Sequence, residues 1–124
     1  VGRSYTNNPL AEGYIVQPII NNKTIDYFSV EVCKRTKEIY NIAGFKIYNS
    51  RDLALRRLRA ARPHIEKQYG KLNKLPEKNN FYAEYVAHGS CQVRLIATPG
   101  NFDSPKWGFI IMYKSDEHER KCGL

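Results

Sequence analysis

Glu84, His88 and Cys91 fall close together in the sequence and bring a carboxylate, an imidazole and a thiol, the groups from which acid-base and nucleophilic chemistry are built. On a strand, the four-residue spacing of Glu84 and His88 puts them on one face, close enough to act as an acid-base pair. No third group is evident that would orient the imidazole, and the chain has no glycine-rich phosphate loop, no Gly-x-Ser-x-Gly turn and no HExxH helix. The imidazole and thiol also allow a metal reading. His88-x2-Cys91 and His118-x3-Cys122 form two close pairs, and zinc accepts four such ligands, although their order is not that of a standard finger. The sequence therefore commits no residue to catalysis, none to a metal and none to a cofactor.

The denser chemistry is cationic. The 124 residues carry 20 Lys and Arg against 12 Asp and Glu, a net charge of +8. Residues 51–80 hold nine of those cations and three of the acids, so three-quarters of the excess comes from thirty residues. Arginine dominates the first half of this stretch, and its planar fork suits phosphate and carboxylate recognition. Glu66 is the only acidic residue between Arg56 and Lys74, which leaves the cations little internal pairing.

A helix must display them. At about 100° per residue, Ala54, Leu55, Leu58, Ala61, Ile65, Tyr69 and Leu72 fall in one apolar stripe over residues 51–72, with Arg56, Arg57, Arg59, Lys67 and Lys71 beside or opposite it. Burying the stripe turns the cations outward. Ser50 reads as the N-cap, with Asp52 in the first turn. Pro63 lacks a backbone donor and crowds the carbonyl of Arg59, so a kink or a break is expected there.

The rest of the chain reads as strands. Tyr14 to Ile20 and Thr24 to Val32 flank the turn signal Asn21-Asn22-Lys23 and form a first hairpin, with Pro18 marking an edge strand. Glu38 to Ile47 is a third strand, in which Gly44 allows a bulge or bend. After a polar connector come Asn80 to His88, Cys91 to Ala97 and Trp107 to Lys114. The expected fold is α+β: one small domain over residues 1–124, in the order β-β-β-α-β-β-β, with an antiparallel sheet covered by one main amphipathic helix. Residues 1–12 and 115–124 read as flexible ends, the last ten alternatively as a short helix.

Alternation places Trp107, Phe109, Ile111 and Tyr113 on one face of the last strand, and Phe81, Ala83, Tyr85 and Ala87 on one face of the fourth. Such residues stack unpaired bases if exposed, or form the core if they face the helix. The segment Lys106 to Tyr113 resembles the signature strand of RNA-recognition motifs, with Ile111 where that signature carries an aromatic and without the family's βαββαβ order. Three strands followed by an amphipathic helix, with Gly44-Phe45 just before it, resemble AP2-like and integrase arm-type DNA-binding domains over residues 14–69, a likeness that implies DNA reading through the sheet.

The leading expectation is a nucleic-acid, DNA or RNA, binding protein whose Arg56, Arg57, Arg59, Lys67 and Lys71 meet phosphates, with Lys34, Arg35 and Lys37 extending the patch. The alternative is a small inhibitor or adaptor that docks its basic helix on an acidic protein surface. The third is a binder of a small anionic nucleotide. No segment approaches the roughly 20 apolar residues that span a bilayer, so no membrane partner is expected. Cys33, Cys91 and Cys122 cannot all pair, and three is few for a disulfide-built scaffold, which favours an intracellular compartment, cytoplasmic or nucleoid/nuclear.

Overall fold

The computed structural model describes residues 2–4, 9–16, 25–78, 80–100 and 106–124. Their elements are β1 (Gly2–Ser4), β2 (Ala11–Val16), β3 (Tyr27–Cys33), β4 (Ile39–Tyr48), α1 (Arg51–Tyr69), β5 (Asn73–Lys74), β6 (Tyr82–His88), β7 (Cys91–Pro99), β8 (Trp107–Ser115) and α2 (Asp116–Cys122). All strands join one sheet, in the order β1-β2-β3-β4-β8-β7-β6-β5, and every pairing is antiparallel. The expected α+β order is present, with two very short edge strands and a second helix added to it.

Two meanders meet where β4 pairs β8, Gly44 opposite Ile111. The first hairpin forms as β2 against β3, but β2 is not the edge, because β1 pairs outside it with Gly2 opposite Ile15. Pro18, Ile19, Ile20 and the turn Asn21-Asn22-Lys23 lie outside the described residues, as do Asn7 and Asn8 and residues 101–105 of the β7–β8 connection. The second hairpin, β6 to β7, turns on Gly89-Ser90, with Gly89 at φ 61°, a left-handed conformation that glycine adopts without strain.

Gly44 does not bend its strand. β4 runs from Ile39 to Tyr48, and the sheet's irregularity lies instead across from its start, between Glu31 and Val32. A Cβ at Gly44 would come within 3.1 Å of Ile25 and 3.3 Å of both Ile111 and Phe28. The glycine is required by close packing. Gly44→Val therefore lowers stability by about 1–3 kcal/mol through overpacking, and an unchanged urea midpoint would refute this role.

α1 lies across one sheet face, chiefly over β7 and β8. Ala54, Leu55, Leu58, Ala61 and Ile65 are its buried residues, and they meet Val86, Val93, Leu95, Ala97 and Phe109. Leu58, Leu95 and Phe109 are wholly buried, each stabilising the fold by about 1.5–3 kcal/mol. The chain stays helical through Pro63, which is exposed on the outer side, so the backbone does not break there. The three-strand unit before α1 does not hold the helix by itself, since β7 and β8 supply most of its bed. That departs from the AP2-like pattern over residues 14–69.

The last residues take the short-helix form. Ser115 caps α2 by accepting from the His118 amide at 3.2 Å, acidic residues fill the first turn and basic ones the last, and Gly123 ends it at φ 89°. A disulfide between Cys33 and Cys122 ties the end of α2 to the end of β3.

Candidate functional site

The basic surface is built by α1 from its start. Ser50 Oγ accepts from the Leu53 amide at 3.3 Å, and the buried stripe then fixes which way each cation points. Arg56, Arg59, Lys67 and Lys71 are exposed, and among the described residues none of them has a carboxylate partner. Glu66, next to Lys67 in sequence, is spent elsewhere: its carboxylate accepts from the Leu72 amide at 3.0 Å beyond the helix end. Arg56 and Lys67 are eleven residues apart, about 16 Å along the axis, so the free cations span most of the helix.

Arg57 is placed differently from the other four. It is half-buried, with its guanidinium 5.0 Å from the centre of the Phe109 ring, covering the core instead of standing clear of it. Arg51 takes a similar position over Trp107 at 5.9 Å, though it remains exposed. Lys34, Arg35 and Lys37 sit in the β3–β4 turn, where Arg35 donates to the Lys121 carbonyl in α2. They belong to this turn and not to the helix that carries Arg56, Arg59 and Lys67.

Arg62 leaves the basic face altogether. Its Nε donates to Glu84 Oε1 at 2.7 Å and its Nη2 to Glu84 Oε2, while the Tyr82 hydroxyl donates to Oε2 at 2.5 Å. Burial pushes the Glu84 carboxyl up, but the hydrogen bonds from Arg62 and Tyr82, with the charges of Arg62 and Lys74, outweigh it and hold the pKa below the ordinary value. The Arg62 pKa is raised, first by its hydrogen bond to Glu84. This pair anchors α1 to β6.

The engagement of Glu84 removes the acid-base pair expected with His88. The imidazole is exposed and lies edge-on to Tyr69 at 5.6 Å, and it makes no hydrogen bond among the described residues. His88 and Cys91 do face each other as cross-strand partners, beside a cavity of about 420 Å³ also lined by Tyr69, Tyr113, Ile39 and Ile42. An exposed thiol next to an imidazole with nothing to orient it does not make a nucleophilic dyad. The four-ligand zinc set cannot form, because Cys122 is bonded to Cys33, and His118 instead contacts Glu38 at 3.0 Å.

The aromatic strands divide between core and surface. Phe109 is fully buried beneath α1 and Trp107 is half-buried, whereas Tyr113 is 37% exposed. The stacking row that the RNA-recognition likeness implies is closed off by the helix. Sequence reasoning missed the opposite face, where Tyr27 and Phe45 stack with ring centroids 4.8 Å apart. Comparison with protein-family models, with curated proteins and with solved structures gives no match for this chain.

Proposed function

We propose that the protein binds a polyanion, nucleic acid, through the outer face of α1. The observation that carries this reading is the set Arg56, Arg59, Lys67 and Lys71, four exposed cations without carboxylate partners among the described residues: the first three stand on α1, whose orientation is fixed by a buried stripe, and Lys71 follows the Gly70 cap, because the helix ends at Tyr69 and not at Leu72 as expected. Unpaired cations held at fixed spacing attract phosphates and release counterions when they meet them. These contacts position the nucleic acid and do not read its sequence.

Four phosphate contacts give a slope of log K against log salt of about −3.6 on duplex DNA and about −2.8 on a single strand. Titrating a labelled oligonucleotide at several KCl concentrations measures it. Arg56→Glu with Arg59→Glu should weaken binding at least tenfold at low salt while leaving the circular dichroism unchanged. Salt-independent affinity, or a charge-reversed variant that binds as the wild type does, would remove α1 from the interface.

The compartment is part of the proposal. An intracellular site of action rests on cysteines that stay unpaired; with Cys33 and Cys122 bonded, the support moves to an oxidising compartment, where such bonds persist.

A further inference from the structure

The sheet face turned away from α1 carries its own apolar strip. Residues alternate across antiparallel strands, so Val93, Leu95 and Phe109 lie under the helix while Ile96, Ile110 and Phe45 point the other way. At the end of that face next to the β7–β8 connection, Tyr27 and Phe45 are cross-strand partners and stack within 5° of parallel. Beside them opens a cavity of about 250 Å³. Ile47, Ile110 and Pro99 complete its apolar walls, and no residue of either helix lines it.

Its charge is one-sided. Lys106 lines the cavity and is exposed, and Lys46 also lines it, held by Asp26 at 2.9 Å. Trp107 is a further lining residue at this end of the sheet, and its ring, on the helix-facing side, lies under the Arg51 guanidinium, so the first turn of α1 stands across the same sheet end from the cavity. Asp26 is already engaged by Lys46 and by the Ile47 amide at 2.9 Å.

An apolar recess lined by a stacked aromatic pair and by two lysines complements a planar ring that carries a phosphate. Its volume suits one ring system and falls short of the roughly 300–1,000 Å³ of pockets for larger ligands. Bases in a duplex are paired and stacked on one another and cannot enter. We infer that this cavity takes an unpaired base of a single-stranded nucleic acid, whose phosphates pass Lys106 and Arg51 toward Arg56 on α1. The inference rests on the function proposed above and narrows its ligand from polyanion to single strand.

Three probes of equal length separate the contributions: an oligothymidylate, an abasic strand with the same phosphates and no bases, and a blunt duplex. Trp107 is the only tryptophan and borders the cavity with its ring on the helix side, so its fluorescence is the secondary readout and affinity the primary one. The oligothymidylate should quench that fluorescence and bind about tenfold more tightly than the abasic strand, the size of one stacked base. Tyr27→Leu should abolish that preference and leave abasic binding unchanged. Ile47→Trp should do the same by filling the cavity from a position 43% exposed, where substitution spares the core; for this variant affinity, not fluorescence, is the readout. Equal binding of oligothymidylate and abasic strand without quenching, or preference for the duplex, overturns the inference and leaves salt-dependent polyanion binding standing. Failure of all three probes to bind at low salt overturns the functional reading as well.

Discussion

Reduction of the Cys33–Cys122 bond lowers the free energy of unfolding by about 4 kcal/mol. The bond joins residues 89 apart, and constraining an unfolded loop of that length stabilises the native state by up to about 4.7 kcal/mol. Little else holds α2. It has seven residues, below the roughly 12–15 at which an isolated helix becomes even marginally stable, and Cys122 is its only buried residue. Its other ties include the Asp116 amide to the Ser90 carbonyl at 2.8 Å, the His118 ring to the Ile39 carbonyl at 3.2 Å, the Arg35 contact to Lys121, and exposed ion pairs such as His118–Glu38 at 3.0 Å. Exposed pairs of this kind contribute about 0–1 kcal/mol each. Thermal melts with and without a phosphine reductant should differ by roughly 15 °C, taking about 4 °C per kcal/mol for a domain of this size. Cys33→Ala with Cys122→Ala should melt at the reduced wild-type temperature and ignore reductant. A wild-type melt indifferent to reductant would show that the bond does not form in the folded protein.

That bond was not legible in the sequence. Three cysteines give three possible pairs, and only the fold reveals that β3 ends where α2 ends. The helix itself carried ordinary signals: Ser115 as a cap, acids in its first turn, Arg120 and Lys121 in its last, Gly123 beyond. α1 was legible in detail, from Ser50 to Ile65, because a 3.6-residue period over five turns has no competing explanation. The longer strands were legible from β-rich runs and alternation, as with Trp107, Phe109, Ile111 and Tyr113 in β8, whereas β1 and β5, at three and two residues, were too short to show any period.

What alternation cannot supply is the identity of the covered face. Trp107, Phe109 and Tyr113 form a more conspicuous aromatic row than Tyr27 and Phe45, and without the β4–β8 and β7–β8 pairings either row could have faced the helix. The registers decide it, and that of β4 on β8 joins residues far apart in sequence, such as Phe45 opposite Ile110. The same limit explains Arg57 and Arg62. A helical wheel separates buried from exposed angles, but an arginine at the margin goes wherever the sheet offers a partner, and here the Phe109 ring and the Glu84 carboxylate are those partners.

Arg62→Met should cost about 3 kcal/mol at neutral pH and reverse the pH dependence of stability. Glu84 is 4% exposed on the helix-facing side of β6, and removing its cation leaves a buried carboxylate with only the Tyr82 hydroxyl. Losing one partner of a buried pair costs about 3–5 kcal/mol, and the lower end applies because the Arg62 side chain is 35% exposed. In the wild type the folded Glu84 pKa lies below its unfolded value of about 4.3. The unfolded state binds the proton more readily, so the pair's stabilisation is complete above pH 4.3 and is lost as pH falls through the folded pKa. In Arg62→Met only the Tyr82 hydroxyl and the Lys74 charge still oppose burial, and the folded pKa is expected to rise above the unfolded one. The native state then binds the proton first, and Glu84 adds a rise in stability as pH falls from 7 toward 5, a range in which it adds no slope in the wild type. Urea unfolding at pH 7 and pH 5 distinguishes the two, and equal slopes would show that the Glu84 charge is not buried. Arg62→Met with Glu84→Leu should recover much of the loss, since an apolar pair replaces the ionic one without an orphaned charge. The contrast bears on function. A charge change at Arg62 acts through the fold, whereas one at Arg56 or Arg59 leaves the fold intact, so only the latter two report on what the helix binds.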